Sequence, residues 1–172
     1  MPKVDSFCSL LCHKGILTED RLKKKGFQGP SRCHLCCHIE ENAQHIILDC
    51  KFSKEIWQNL LSHWKTEFIL PMSISDLFAN WRNFYPETLP KNESFKAAWR
   101  SLPKFICWKI LLERNRRVFR DESLDPQFTI IKIKSLWNES LGENLSDSNL
   151  SQVWRNKATK GYKRVAIQRE GE

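Results

Sequence analysis

One stretch near the N-terminus decides the fold, and over residues 33–50 it reads Cys-His-Leu-Cys-Cys-His-Ile-Glu-Glu-Asn-Ala-Gln-His-Ile-Ile-Leu-Asp-Cys. It contains the spacing C-x2-C-x8-H-x4-C, formed by Cys33, Cys36, His45 and Cys50. Two residues between thiolates allow one tight turn to present both sulfurs to one ion, and the eight-residue gap allows the chain to return with a second pair. Tetrahedral zinc takes this set of donors, and the protein fills all four positions. The pattern therefore predicts one structural zinc ion and leaves no position for a catalytic water.

Three neighbouring side chains, His34, Cys37 and His38, are alternative ligands. Use of Cys37 would change C-x2-C into C-x3-C and point the thiolate to the other side of the turn. The two histidines fit exposed positions, or positions that hydrogen-bond to the ligands. A C-x-x-C pair also occurs at redox sites, but the β-α-β pattern of a thioredoxin-like site is missing here. The quartet is the prediction, and a rearrangement among these three residues stays open.

The remaining cysteines fit a reducing compartment. Seven is an odd number, which favours metal binding over a disulfide framework. Cys8, Cys12 and Cys107 lie among apolar residues, so we expect them to be buried thiols that act as small hydrophobic groups.

Composition and charge limit the class of protein. The chain has 172 residues, about the size of one domain, and its seven Trp and ten Phe supply enough apolar material for a core. A net charge of +8 favours nucleic acid as a partner, with an anionic membrane surface second. No stretch reaches the roughly 18 apolar residues of a membrane span, and the start lacks the apolar segment of a secretory signal. We therefore expect a soluble intracellular protein with no membrane partner.

Apolar residues at helical spacing predict a mainly α fold. Helices are expected over residues 5–14, from a cap at Thr18 to Lys25, around 41–48, from a cap at Ser53 through Trp64, from Ser73 or Ser75, over 92–120, and after Asp125-Pro126. Pro103 predicts a break or kink near residues 101–102, and Ile130, Ile131 and Ile133 make a strand the competitor of the last helix. The predicted organisation is a zinc-binding domain at 1–66, a helical extension at 67–142, and a short helix with a basic, flexible tail at 143–172.

The chain resembles a known family, the zinc-binding domain at the C-terminal end of the reverse-transcriptase polyproteins of plant LINE-type (non-LTR) retrotransposons. The matching segments are 2–4, 15–18, 21–26, 32–36, 45–50, Phe52 and 56–57, with a looser match at 107–110 and 113–119. One departure is Cys37, which stands where the family usually has Gly. Because Gly tolerates a positive φ at little cost, Cys37 implies either mild strain or a different turn.

The resemblance implies binding to element RNA or target DNA, and possible association with a reverse transcriptase or a ribonucleoprotein. Nothing in the sequence looks like a polymerase palm with paired aspartates or like an endonuclease. We therefore expect a non-enzymatic remnant or host gene that carries the accessory module alone. The family also suggests the nucleus.

Two basic clusters are the candidate nucleic-acid contacts. One flanks the metal turn and the other lies on the helix before residue 121: Lys23, Lys24, Lys25 and Arg32, then Lys109, Arg114, Arg116, Arg117 and Arg120. Each cluster also fits an ordinary solvated helix face. The tryptophans Trp57, Trp64, Trp81 and Trp108 fit core positions better than base-stacking platforms. The alternative function is a zinc-stabilised helical module for protein interaction, which predicts little affinity for nucleic acid in the presence of competing polyanion.

Overall fold

The computed structural model describes residues 2–13, 15–29, 31–63, 66 and 68–141. Its elements, in chain order, are α1 (Pro2–Cys12), α2 (Glu19–Lys24), a π-helical turn (His45–Asp49), α3 (Lys51–His63), α4 (Ile74–Asn83), α5 (Glu93–Arg120) and α6 (Pro126–Leu141). The mainly α prediction is confirmed. Trp64 and the predicted loop, short helix and tail from residue 142 onward lie outside the described residues.

Helix α2 begins and ends as its sequence predicts. Thr18 is the N-cap residue, although its hydroxyl bonds the Asp20 carboxylate instead of a backbone amide. At the other end Gly26 has φ +87°, and the amides of Gly26 and Phe27 donate to the carbonyls of Lys23 and Leu22. This pair of bonds is the Schellman motif, in which a left-handed glycine ends the helix.

Helix α3 begins earlier than predicted. The helix starts at Lys51, directly after Cys50, so Ser53 lies inside the first turn and the prediction that it caps the helix is wrong. Its buried hydroxyl instead donates to the carbonyl of Ile46, and the Trp57 indole donates to the carbonyl of Ile47 at 2.9 Å. Both bonds attach α3 to the π-helical turn that precedes it.

Helix α5 runs unbroken from Glu93 to Arg120, so the predicted break at residues 101–102 is wrong. Pro103 has no N–H to donate to the carbonyl of Trp99 four residues earlier. That carbonyl accepts a hydrogen bond from the indole of Trp81 at 2.8 Å, and the two indole rings stack at 4.5 Å. Helix α4 therefore supplies the donor that the proline removes.

The other helix starts follow their caps. Ser73, rather than Ser75, caps α4 and accepts from the amide of Asp76, while Asn92 caps α5 in the same way. The segment after Asp125 is a helix and not a strand. Its buried face contains Thr129, Ile130, Ile133 and Trp137, whereas Ile131 is exposed.

Helix α5 lies at the centre of the packing and contacts α1, α3, α4, α6 and the π-helical turn. Buried apolar side chains from both sides of residue 66 belong to one cluster, from Val4 on α1 to Trp137 on α6. Cys8 and Cys107 are part of this core, and burial raises the pKa of Cys8 to about 12. Cys12 is exposed at the last position of α1, so the expectation that it is buried was wrong. None of the described helices is long and apolar enough to cross a membrane.

Candidate metal centre

The four predicted ligand atoms lie together, all within 4.8 Å of one another. The Sγ atoms of Cys33 and Cys50 are 3.9 Å apart, and Cys36 Sγ is 3.3 Å from His45 Nε2. Zinc bonds of about 2.3 Å to sulfur and about 2.0–2.1 Å to nitrogen give, in a tetrahedron, sulfurs about 3.8 Å apart and a sulfur about 3.6 Å from the nitrogen. The arrangement therefore fits one four-coordinate zinc ion.

The first two ligands lie on a tight turn, residues 33–36, which we call the metal turn. The amide of Cys37 donates to the carbonyl of Cys33 at 2.7 Å, and Leu35 N donates to Cys33 Sγ at 3.4 Å. The hydrogen bond with the Cys50 thiol, together with the backbone amides of the metal turn, lowers the pKa of Cys33 against the opposing effect of burial. This favours the thiolate, which is the form that binds a metal.

The second pair of ligands depends on the π-helical turn. His45 and Cys50 are five residues apart, and in an α-helix this spacing would point them about 140° away from each other. Here the amide of Cys50 donates to the carbonyl of His45 at 2.7 Å, an i→i+5 bond that brings the fifth residue back to the same side. In this chain the π-helical turn therefore presents both side chains of the H-x4-C pair to one ion, which a regular α-helix could not do.

The three alternative ligands lie outside the four-atom group. Cys37 is exposed and has φ +60°, so it carries the backbone strain expected where the family has Gly. His34 Nε2 lies 3.5 Å from a carboxylate oxygen of Glu19, and the exposed ring of His38 bonds the carbonyl of Cys36. Each of these side chains thus points away from the cluster or has another partner.

A buried ion pair next to the metal turn was missed by the sequence reasoning. The side chains of Glu41 and Arg114 are 0% and 5% exposed, and Arg114 Nη2 and Nε donate to Glu41 Oε1 and Oε2 at 2.5 Å and 3.2 Å. The sequence did contain one signal for this burial. Arg114 follows the core residues Ile110 and Leu111 by four and three positions, and therefore lies on the same face of α5.

The predicted nucleic-acid contacts fall into two groups. Exposed side chains are Lys23, Lys24, Lys25, Arg32 and Arg120, whereas Lys109, Arg114, Arg116 and Arg117 are partly or fully buried. Arg114 is bound to Glu41, and Arg117 donates to Glu113 at 3.0 Å. Both guanidinium groups are thus engaged in ion pairs within the protein, and contact of any residue of this set with nucleic acid stays a prediction.

Comparison with known proteins agrees with this geometry. The family model described as zinc-binding in reverse transcriptase matches residues 1–57, a segment that contains all four cluster residues. No match was found among curated proteins or among solved structures. Residues 1–57 of this chain therefore match the zinc-binding family of reverse transcriptases, and the matched segment contains the four side chains that a zinc site needs.

Proposed function

We propose that the chain is an accessory module that binds RNA or DNA, as in LINE-type retrotransposons, and has no catalytic activity of its own. Zinc has a structural role in it, since four protein side chains fill the coordination sphere. The observation that carries the proposal is a surface beside the metal turn that combines cations with an exposed aromatic ring. We call it the lysine patch: Lys23, Lys24, Lys25, Phe27 and Arg32.

The lysine patch has the chemistry of a single-strand binding surface. Its three lysines are exposed at the end of α2, and Phe27 follows them with 63% of its surface exposed. Arg32 pairs through its backbone with Glu40, whose carboxylate is 3.9 Å from Lys23 Nζ, so the two ends of the patch adjoin. Cations attract phosphates, and a base that stacks on an aromatic ring gains about 1–3 kcal/mol.

Salt dependence of binding tests the proposal. Affinity for single-stranded RNA and DNA oligonucleotides is measured at several salt concentrations for the wild type and for a variant in which Lys23, Lys24 and Lys25 are all Gln. Each neutralised phosphate contributes about 0.7 to the slope of log K against log salt for a single strand, so the triple variant should lose about two units of slope. Phe27→Ala should weaken binding by about tenfold with the slope unchanged.

A matched control removes the same charge elsewhere. Arg82, Lys91 and Arg100 are exposed positions of the helical extension, and replacing all three with Gln changes the net charge equally. The proposal requires the control to retain most of the slope. Equal losses in both triple variants would reduce the binding to a general effect of net charge. No measurable binding by the zinc-loaded wild type in the presence of competing polyanion would favour the protein-interaction module instead.

A further inference from the structure

Arg117 of α5 binds the backbone of the metal turn, although it lies 82 residues after Leu35 in the chain. Arg117 Nη1 donates to the carbonyl of Leu35 at 2.8 Å and lies 3.4 Å from the carbonyl of His34. Leu35 and His34 are the two residues between the ligands Cys33 and Cys36. The guanidinium thus contacts both peptide carbonyls of the segment that sets the separation of the two thiolates.

One peptide group connects Arg117 to a ligand sulfur. The peptide between His34 and Leu35 accepts from Arg117 through its carbonyl, and its N–H donates to Cys33 Sγ at 3.4 Å. A cation at the carbonyl end polarises the peptide and strengthens its N–H as a donor. Arg117 therefore acts on the thiolate through one intervening peptide and holds that peptide in the donating orientation.

The side chain of Arg117 is itself fixed on three sides. Its Nε donates to Glu113 Oε1 at 3.0 Å, and its Nη2 donates to the carbonyl of Leu124 at 3.1 Å. The guanidinium also lies over the ring of Phe52, 4.8 Å from the centroid, and Phe52 is two residues after the ligand Cys50. A side chain held in this way loses little further entropy when it orders the metal turn.

Arg114 reaches the same turn through Glu41. The carboxylate that accepts from Arg114 also accepts from the amide of His34 at 3.4 Å, and from the amide of Glu19 at the start of α2 at 3.2 Å. Arg114 holds this buried carboxylate in its orientation through two hydrogen bonds. The metal turn is thus held at its His34 amide by Glu41 and at its two carbonyls by Arg117.

We propose that Arg117 and Arg114 are positioning residues of the zinc centre, and that α5 presets the metal turn for zinc although it contributes no ligand. We call the two residues the arginine clasp. The proposal rests on the zinc site alone and is independent of nucleic-acid binding. Residues that orient metal ligands typically change metal affinity by about 10–100-fold when they are replaced.

The test measures zinc affinity of the full chain by competition with a chromogenic chelator. Arg117→Met removes the donors and keeps most of the aliphatic stem, and we expect a 10–100-fold weaker affinity. Arg120→Met, on the exposed side of the same helix one turn away, is the control and should change affinity less than twofold. Unchanged affinity in Arg117→Met, or an equal loss in Arg120→Met, would overturn the proposal.

A spectroscopic measurement separates positioning from general destabilisation. With Co²⁺ in place of zinc, a weaker hydrogen bond from the Leu35 N–H to Cys33 Sγ raises the energy of the thiolate electrons, so the sulfur-to-cobalt charge-transfer band should shift to longer wavelength in Arg117→Met. If Arg117 has only a structural role, the band of the metal-saturated variant lies at the same wavelength as in the wild type. That outcome would contradict the proposal. If Arg117→Met does not fold, Arg117→Lys is measured by the same criteria, because a lysine cannot donate to Leu35, Glu113 and Leu124 in the same planar geometry.

Discussion

At the scale of single residues, two adjacent glutamates allow a buried ion pair to be compared with an exposed ion pair. Glu41 and Glu40 are neighbours in sequence, yet the first is fully buried against Arg114 and the second is 80% exposed and 3.9 Å from Lys23. Removal of one partner from a buried pair leaves an uncompensated charge, whereas an exposed pair contributes little. The two positions therefore form a matched comparison.

We expect Glu41→Gln to lower the free energy of unfolding of the zinc-loaded protein by about 3–5 kcal/mol. The Arg114 guanidinium loses its nearest charged partner and keeps only Glu19 Oε1 at 3.6 Å, and the amides of His34 and Glu19 face a neutral amide group in place of a carboxylate. Glu40→Gln should change stability by less than about 1 kcal/mol. Urea denaturation of both variants checks this, and similar effects at the two positions would contradict the importance of the buried pair.

Cys37 is the second residue whose geometry makes a prediction. A non-glycine residue in the left-handed region destabilises the fold by about 1–2 kcal/mol. Gly removes this strain, but part of the gain is offset because Gly loses more conformational entropy on folding. We expect Cys37→Gly to raise the free energy of unfolding by about 0.5–1 kcal/mol, while Cys37→Ser, which keeps the strain, leaves it unchanged. Zinc content by mass spectrometry should stay at one ion per chain in both. Loss of zinc in either variant would show that Cys37 is a ligand.

At the scale of elements, α5 shows how a proline is accommodated inside a long helix. The Trp99 carbonyl, which Pro103 deprives of its donor, is buried and bonded to the Trp81 indole. Trp81→Phe removes the indole donor to this carbonyl, which should cost about 1–3 kcal/mol beyond the lost packing. In a Pro103→Ala background the helix supplies its own N–H, so the same substitution should cost less. A double-mutant cycle by chemical denaturation measures the difference, and equal costs in both backgrounds would show that the indole bond is not the compensation.

The same helix shows what the sequence could and could not predict. Local signals were enough to predict that helices begin at Ser73 or Ser75 and at Asn92, because a cap bonds an amide three residues away. The ligand spacing was enough to predict a zinc site, because four donors within 18 residues can surround one ion in few ways. The Trp81 bond to Trp99 and the Arg114 bond to Glu41, which spans 73 residues, exist only after the helices pack. The internal ion pairs of Arg114 and Arg117, which the sequence predicted as nucleic-acid contacts, could therefore not be predicted from local signals.

At the scale of the whole molecule, the zinc segment and the helical extension share one core and the arginine clasp. Helix α5 packs against α1 and the π-helical turn of the zinc segment and against α4 and α6 of the extension. Ligand residues Cys33, Cys50 and His45 are themselves buried in this packing. Loss of the metal should therefore alter the packing around three tryptophans of the helical extension, Trp81, Trp99 and Trp137.

Removal of zinc tests this coupling. Structural zinc supplies about 10–16 kcal/mol of apparent free energy in small finger peptides, an amount comparable to the whole stability of a domain. We expect a strong chelator, His45→Ala or Cys36→Ser to reduce far-ultraviolet circular dichroism and to shift the tryptophan fluorescence to longer wavelength in one transition. Acid should have the same effect, because protonated thiols and imidazole release the metal as the pH falls. Loss of zinc with unchanged circular dichroism would mean that the site is not structural. A change confined to ellipticity, with the fluorescence of the buried tryptophans unaltered, would mean that the extension keeps its core without the metal.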